Sequence, residues 1–183
     1  METTDNKLSI LTIGQIAYYD SQECFVNHLA DKQDIELAFV GAGPASEPLA
    51  NYVQEHDIKN VTFGGRYAKK DEIDIVQPYH MINIWLKHDI NADSCMANRF
   101  YLSAQLRKPM IVSKGSFQGD LCEKYGLGVV LDENDDFSEK ILEWWRSFDA
   151  EKYDEGCRVF LKSVGEEMSS FENGLVQLYK TTA

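Results

Sequence analysis

The chain has 183 residues, of which 44% are hydrophobic and 26% are charged, a composition that excludes a disordered or fibrous protein. Its 18 Lys and Arg residues against 30 Asp and Glu residues give a net charge of -12, so we expect no nucleic acid partner. No apolar run approaches the roughly 20 residues that span a bilayer, and the N-terminal METTDNK is polar. We predict one cytoplasmic domain without a transmembrane segment.

Short apolar strands and amphipathic helices alternate along most of the chain. The sequence predicts six strands, at residues 8–13, 35–40, 61–63, 81–86, 110–112 and 128–131. It predicts helices between them, at residues 21–30, 45–56, 70–77, 96–106 and 116–125. Continuous apolar strands separated by helices are typical of a parallel sheet that is covered on both faces. We therefore predict an α/β fold, a doubly wound parallel sheet of about six strands.

The pattern becomes wholly helical after Asp132. One helix is predicted within DDFSEKILEWWRSF, and a long one follows from about Ala150 to Tyr179, where apolar residues recur at steps of three and four. We find no linker and no internal repeat. The expected organisation is a single domain over residues 1–183, with an α/β core at 7–148 and a C-terminal helical segment at 149–183.

Metal and dinucleotide motifs are absent or incomplete. The four cysteines and four histidines show neither a CxxC pair nor an i, i+4 histidine pair, so we expect no metal site. The turn GAGPAS has Ser46 where a dinucleotide fingerprint requires its third glycine, which argues against a nicotinamide or flavin enzyme. The acids of DENDDFSEKILE have calcium-loop spacing, but Phe137 occupies the glycine position. We interpret that segment as a helix start.

A ligand site is expected beyond the carboxyl ends of the strands, where open parallel sheets bind their ligands. A helix that begins near Asp93 or Ser94, either of which could cap it, would direct its free amides to this edge. Arg99, in the first turns of that helix, could add a charge-assisted bond to a phosphate. Ordinary helix capping without a ligand accounts for the same residues equally well.

Four segments, in this order, resemble the C-terminal half of a GT-B glycosyltransferase of the family 4 or capsular and exopolysaccharide type. They are ILTIGQIAYYDSQECFVNHLAD, IELAFVGAGPASEPLANYV, NVTFGGRYAKKDEI and NRFYLSAQLRKPMIVSKGSFQGDLCEKYGLGVVLDEND. The last is similar to the family pattern N-K-x-x-E-x-x-x-x-G-K-P-V-I, followed by a loop, a short helix and G-x-G-V-V. The resemblance covers nearly the whole chain.

The resemblance implies a Rossmann-like domain that binds a nucleotide-diphosphate sugar as substrate, usually without a metal. The implied partner is an N-terminal acceptor domain of the same parent protein, so the chain would be about half of a longer, bacterial-type enzyme of polysaccharide or glycoconjugate assembly. That missing half could place the cytoplasmic protein at the inner membrane. The implied donor-binding residues are Gly14, Gln15, Arg66, Ser94, Cys95, Met96, Asn98, Arg99 and Lys114. No catalytic residue is implied within this half.

The sequence departs from the family pattern at several donor contacts. Ser94 and Leu102 occupy the positions of the two acids that bind the donor sugar and the ribose. Gln15 stands where a basic residue usually meets the diphosphate, and Arg107 replaces the glycine of G-K-P. The alternative is therefore a catalytically degenerate domain that acts as a binding or scaffold module. A stand-alone flavodoxin-like or nucleotide-binding module is a third hypothesis.

Overall fold

The structure, a computed structural model, describes residues 7–181, without the side chains of residues 174 and 176–181. The polar N-terminal residues 1–6 and the last two residues of the predicted domain lie outside this range. Six parallel strands form one sheet in the order β3-β2-β1-β4-β5-β6. They are β1 (Leu8–Gln15), β2 (Ile35–Ala42), β3 (Val61–Gly65), β4 (Met81–Asn83), β5 (Met110–Ser113) and β6 (Gly128–Leu131). The predicted doubly wound parallel sheet is confirmed, and its strand order is that of a Rossmann fold.

Helices cover both faces of this sheet. They are α1 (Tyr19–Leu29), α2 (Ser46–Glu55), α3 (Glu72–Val76), α4 (Ile90–Ser94), α5 (Asn98–Leu106), α6 (Phe117–Tyr125), α7 (Phe137–Arg146) and α8 (Ala150–Thr181). A 3-10 turn at Lys69–Asp71 precedes α3. None of the helices within residues 7–181 combines the length and the apolar character that crossing a bilayer requires.

Two apolar clusters lie on opposite sides of the sheet because successive side chains of a strand point to opposite faces. On β1, Leu8 and Ile10 belong to the cluster that contains α1, α2 and α7, whereas Leu11 and Ile13 belong to the other. The second cluster is closed by α5, α6 and the first turns of α8, where Phe160 is 2% exposed. The sheet is therefore the shared middle layer of the core.

The strand predicted at residues 81–86 is shorter than expected. β4 ends at Asn83, although Ile84, Trp85 and Leu86 are buried. The amide of Trp85 donates to Oδ1 of Asn83 at 3.0 Å, and the amide of Leu86 donates to Oγ of Ser113 at 2.9 Å. Because side chains accept these amide hydrogens, the segment stays buried without extending the sheet ladder.

The helix predicted at residues 96–106 begins later and lacks the predicted cap. Asp89, not Asp93 or Ser94, caps a separate short helix, α4, by accepting from the amides of Asn91 and Ala92 at 2.7 Å each. Cys95 and Ala97 are extended, and α5 begins at Asn98 with no side-chain cap. The prediction that Asp93 or Ser94 caps α5 is wrong because these residues belong to the preceding helix.

The predicted long C-terminal helix is present as α8, of 32 residues. Its first turns pack on the domain through Tyr153, Cys157 and Phe160, all of which are buried. Further along, Met168 and Phe171 are 60% and 68% exposed. The apolar stripe that the sequence shows therefore contacts the domain only in its first part.

Candidate functional site

A cavity of about 370 Å³ lies at the carboxyl edge of the sheet, where the loops after β1 and β4 diverge. This is the point at which the strand order reverses, and ligands of open α/β sheets bind there. The lining comes from the end of β1 and its loop, the loop after β3, the residues after β4, the start of α5 and one residue of α6. Its volume is within the range of small-molecule sites.

Five of the nine residues predicted to bind a donor line this cavity. They are Gly14, Gln15, Cys95, Asn98 and Arg99. The first two end β1, and the other three lie at or just before the start of α5. Two segments that are 80 residues apart in the sequence therefore meet at one site because β1 is the central strand and α5 starts beside its end.

The other four predicted residues lie outside the cavity. Arg66 is exposed in the loop after β3, and Ser94 donates its hydroxyl to the carbonyl of Ile90 at 2.6 Å within α4. Met96 packs partly buried against the core. Lys114 is exposed beyond β5, which is two strands from β1. The structure therefore brings Arg99 to the cavity but neither of the other two candidate counter-charges, Arg66 and Lys114.

Arg99 is one of two cations that line the cavity, and it lies beside the end of β1, whereas Lys69 lies in the loop after β3. Nη1 of Arg99 donates to the carbonyl of Ile13 at 3.2 Å, which holds the guanidinium beside the end of β1. Burial lowers the pKa of Arg99, while Cys95 and Tyr67 act in the opposite direction, and an arginine remains protonated under such shifts. A guanidinium has five N–H donors, so several remain for a ligand.

The start of α5 adds backbone donors beside Arg99. Asn98 and Arg99 are the first two helical residues, and their amides have no intrahelical partner by the geometry of a helix. The residue before them, Ala97, provides no side-chain cap. An uncapped helix start beside a guanidinium is an arrangement that binds phosphate groups.

Two glycines, Gly14 and Gly41, determine the backbone path of the β1 loop, which forms the floor of the cavity. Gly14 has φ 99°, which side chains rarely tolerate, and a Cβ there would lie 3.9 Å from the Tyr67 hydroxyl. Gly41, the first glycine of the GAGP turn, has φ 144° and lies so close to the β1 loop that a Cβ would fall 1.9 Å from the carbonyl oxygen of Gly14. The GAGP turn therefore supports the β1 loop by close backbone packing.

A cluster of Tyr67, Lys69 and Glu72 lines the cavity, and our sequence analysis did not select it. The Tyr67 hydroxyl donates to Oε1 of Glu72 at 2.6 Å, and the Lys69 ammonium bonds Oε2. Burial and the bond to Glu72 raise the pKa of Tyr67 to about 12. Burial also acts to raise the pKa of Glu72, but the bonds from Lys69 and Tyr67 outweigh it, so that pKa is lowered. The carboxylate is thus charged at neutral pH.

The one sequence signal for this cluster is its location directly after a predicted strand. The three residues follow β3, one of the six strand ends at which a ligand was expected, and Arg66 was the residue chosen from that loop. Glu72 opens α3, where an acid is ordinarily a helix-start residue. Its burial, with only 8% of the residue exposed, is a property of the folded chain.

Gln118 holds the segment before α5 in place. Its Oε1 accepts from the amide of Ala97 at 3.2 Å, and its Nε2 donates to Sγ of Cys95 at 3.6 Å. The side chain is buried, with 3% of the residue exposed, and lines the cavity. Gln118 therefore links α6 to the extended segment that sets where α5 begins.

We expect Gln118→Leu to destabilise the domain by about 1–3 kcal/mol, because the Ala97 amide and the Cys95 thiol lose their partner. Urea denaturation followed by circular dichroism measures this difference. Gln54→Leu, at an exposed position of α2, is the matched control, with an expected change within about 0.5 kcal/mol. Equal stability of Gln118→Leu and the parent chain would show that the link is unimportant.

The structure also shows where Leu102 and Ser94 lie, the two positions at which the glycosyltransferase pattern has acids. Leu102 lines the cavity with an apolar side chain, whereas Ser94 is exposed on α4 and outside it. Arg107, at the glycine position of the family pattern, ends α5 in the left-handed conformation with φ 56°. That conformation favours glycine, which explains the family pattern in physical terms.

Sequence comparison alone does not identify relatives, since no protein-family model and no curated protein matches the chain. Solved structures do match. Sucrose-phosphate synthase from Thermosynechococcus elongatus aligns with a TM-score of 0.69 and 14% identity, over 93% of this chain and 46% of that chain. Anabaena HepE in complex with UDP-glucose aligns with a TM-score of 0.64 and 13% identity, over 90% of this chain and 49% of that chain.

A separately solved domain covers a similar length. The C-terminal domain of a glycosyl transferase group 1 family protein, LpcC from Francisella tularensis, aligns with a TM-score of 0.58 and 14% identity. The alignment covers 82% of this chain and 80% of that domain. By contrast, the chain spans about half the length of the first two structures. The chain therefore has the Rossmann-like fold of glycosyltransferase domains.

Proposed function

We propose that this chain is the nucleotide-sugar-binding domain of a glycosyltransferase, and that the cavity between β1 and α5 holds the donor. The observation that carries the proposal is the pairing of Arg99 with the uncapped start of α5 at the switch point of the sheet. Both groups favour an anionic diphosphate. The similar structures, among them a UDP-glucose complex of HepE, support a nucleotide sugar as that anion.

The finer features of the proposal rest on the resemblance of the sequence to family 4 and capsular-type enzymes. The donor sugar would pass to an acceptor hydroxyl in polysaccharide or glycoconjugate assembly, and a second, N-terminal domain would supply the acceptor side. The chain spans about half the length of two of the similar structures. Transfer would require no metal, with Arg99 and the helix start neutralising the diphosphate.

A second candidate function is a binding or scaffold domain that does not turn the donor over. Leu102 in the cavity and exposed Ser94 favour it, because neither provides a carboxylate for the donor hydroxyls. Gln15 also lines the cavity without contributing a charge. In this case the chain would still bind a nucleotide diphosphate through Arg99.

A ligand screen tests the proposal. We expect one of UDP-, GDP-, dTDP- or CMP-sugars to stabilise the 183-residue chain, by about 2.7 kcal/mol at a concentration of 100 Kd. Thermal unfolding followed by titration calorimetry measures the shift and the affinity. Repeating the titration with EDTA should leave the affinity unchanged. Absence of stabilisation by every nucleotide and nucleotide sugar at millimolar concentration would contradict both candidate functions.

A further inference from the structure

We propose that Glu72 is the residue through which the cavity recognises hydroxyl groups, by accepting two hydrogen bonds from a vicinal diol of the bound ligand. The inference rests on the proposed function, because the diol would belong to the ribose or to the sugar of a nucleotide sugar. It assigns donor recognition to a carboxylate on α3, whereas the sequence resemblance places the donor-binding acids at positions 94 and 102.

The chemistry of the cavity lining singles out Glu72. Among residues 7–181 it is the only Asp or Glu side chain that lines the cavity. The other candidate acceptors of the lining are weaker or already bonded. Oε1 of Gln118 accepts from the amide of Ala97, whereas Gln15 and Asn98 offer neutral amide oxygens. A carboxylate is also the strongest hydroxyl acceptor that a side chain offers, because bonds to a charged acceptor are shorter and stronger than neutral ones.

The carboxylate of Glu72 is held in a fixed orientation, and not all of its lone pairs are used by hydrogen bonds. Tyr67 donates to one oxygen at 2.6 Å, and Lys69 bonds the other, so the plane of the group is held from two sides. An ionised carboxylate has about four lone-pair sites, and these two bonds use one on each oxygen. One site on each oxygen remains, and these are the two that the adjacent hydroxyls of a diol would occupy.

Tyr67 lines the cavity together with Glu72 and Arg99. It interacts electrostatically with both Arg99 and Glu72, and its hydroxyl would lie 3.9 Å from a Cβ at Gly14. Lys69 pairs with one oxygen of Glu72, so the carboxylate repels a diphosphate beside Arg99 less than an unpaired one would. The lining thus provides Arg99 for phosphates and the Lys69-paired carboxylate of Glu72 for hydroxyls.

Glu72→Gln tests the assignment with two probes that differ in hydroxyls, inorganic pyrophosphate and UDP-glucose. We expect the variant to lose about 10- to 100-fold in affinity for UDP-glucose, the effect of losing hydrogen bonds to a charged group. Its affinity for pyrophosphate, which binds at Arg99 and offers no hydroxyls, should not fall, because the substitution removes a negative charge from the lining and leaves Lys69 unpaired. Titration calorimetry measures both constants in the full chain.

The source of the diol follows from two further probes, UDP and 2′,3′-dideoxy-UDP. If the ribose is recognised, Glu72→Gln weakens UDP as well, and the parent chain but not the variant discriminates against dideoxy-UDP. If the sugar is recognised, only UDP-glucose responds to the substitution. Each of these patterns supports the assignment and distinguishes the two sources.

Three results would overturn the inference. Unchanged binding of both UDP and UDP-glucose by Glu72→Gln would show that the carboxylate does not contact hydroxyls. Equal weakening of pyrophosphate would assign it a merely structural role. If the parent chain binds neither these probes nor any of the GDP-, dTDP- and CMP-sugars, the proposed function fails, and the inference fails with it. Should Glu72→Gln not fold, Glu72→Asp, which keeps the charge but retracts it by one methylene, is judged by the same criteria.

Discussion

Arg99→Met should reduce the affinity of the chain for UDP and for pyrophosphate by about 10- to 100-fold. The guanidinium is the cation beside the start of α5, and charge-assisted bonds to a phosphate are lost with it. Titration calorimetry with both ligands measures the loss. Because helix-start amides remain, we expect weakened rather than abolished binding.

Arg66→Met and Lys114→Met are the matched controls for this experiment. Both residues are exposed cations that the sequence placed at the donor site, and both lie outside the cavity. We expect each variant to bind both ligands almost as tightly as the parent chain does. The removed charge is distant from the ligand, and salt screens its effect on the affinity. A loss at Arg66 or Lys114 equal to that at Arg99 would contradict the site described here.

Arg99→Lys separates charge from geometry. Lysine keeps the positive charge but has no planar fork of donors, so it should bind phosphate less well than arginine. We expect an affinity between those of the parent chain and Arg99→Met. Urea denaturation of each variant checks that the lost bond to the Ile13 carbonyl has not unfolded the domain.

Gly41→Ala should destabilise the domain by about 4 kcal/mol or more, an effect at the upper end for single substitutions. The added Cβ would lie 1.9 Å from the Gly14 oxygen and 2.8 Å from its carbonyl carbon, both of which are backbone atoms. The φ of 144° adds strain for any side chain. Relief requires the end of β2 to move away from β1, which also displaces the cavity floor.

Gly65→Ala provides the control for Gly41→Ala. Gly65 ends β3 with φ 68°, and a Cβ there meets nothing within 4 Å. Its substitution should therefore cost only the left-handed backbone preference, about 1 kcal/mol. Urea denaturation followed by circular dichroism compares the two variants. Similar losses would show that the close approach of Gly41 to the β1 loop is not what destabilises the protein.

The strands and helices could largely be predicted because their signals are local. The apolar run IELAFV and the glycine that follows it indicate β2 without reference to any other part of the chain. The break between α4 and α5 was missed, and within it the amide of Ala97 donates to Gln118, which lies 21 residues further along the chain. A hydrogen bond across the fold leaves no periodic signal in the sequence.

The candidate site was predicted only in part, because strand order decides which loops meet. All six strands end at the same edge, and the sequence did not indicate that β5, which precedes Lys114, lies two strands from β1. Glu72 was missed for a different reason. A charged residue at a helix start is normally solvated, and its burial beside Tyr67 and Lys69 exists only after the loop has folded.

Tyr67 and Gly14 both line the cavity, although they follow or end two strands, β3 and β1, that are not neighbours. β2 lies between them and ends at Gly41 and Ala42. The lining therefore combines residues from the first and the third of three neighbouring strands, whose relative positions depend on the twist of the sheet. Substitutions buried far below this edge can consequently alter ligand affinity by changing sheet curvature, without touching any residue that meets the ligand.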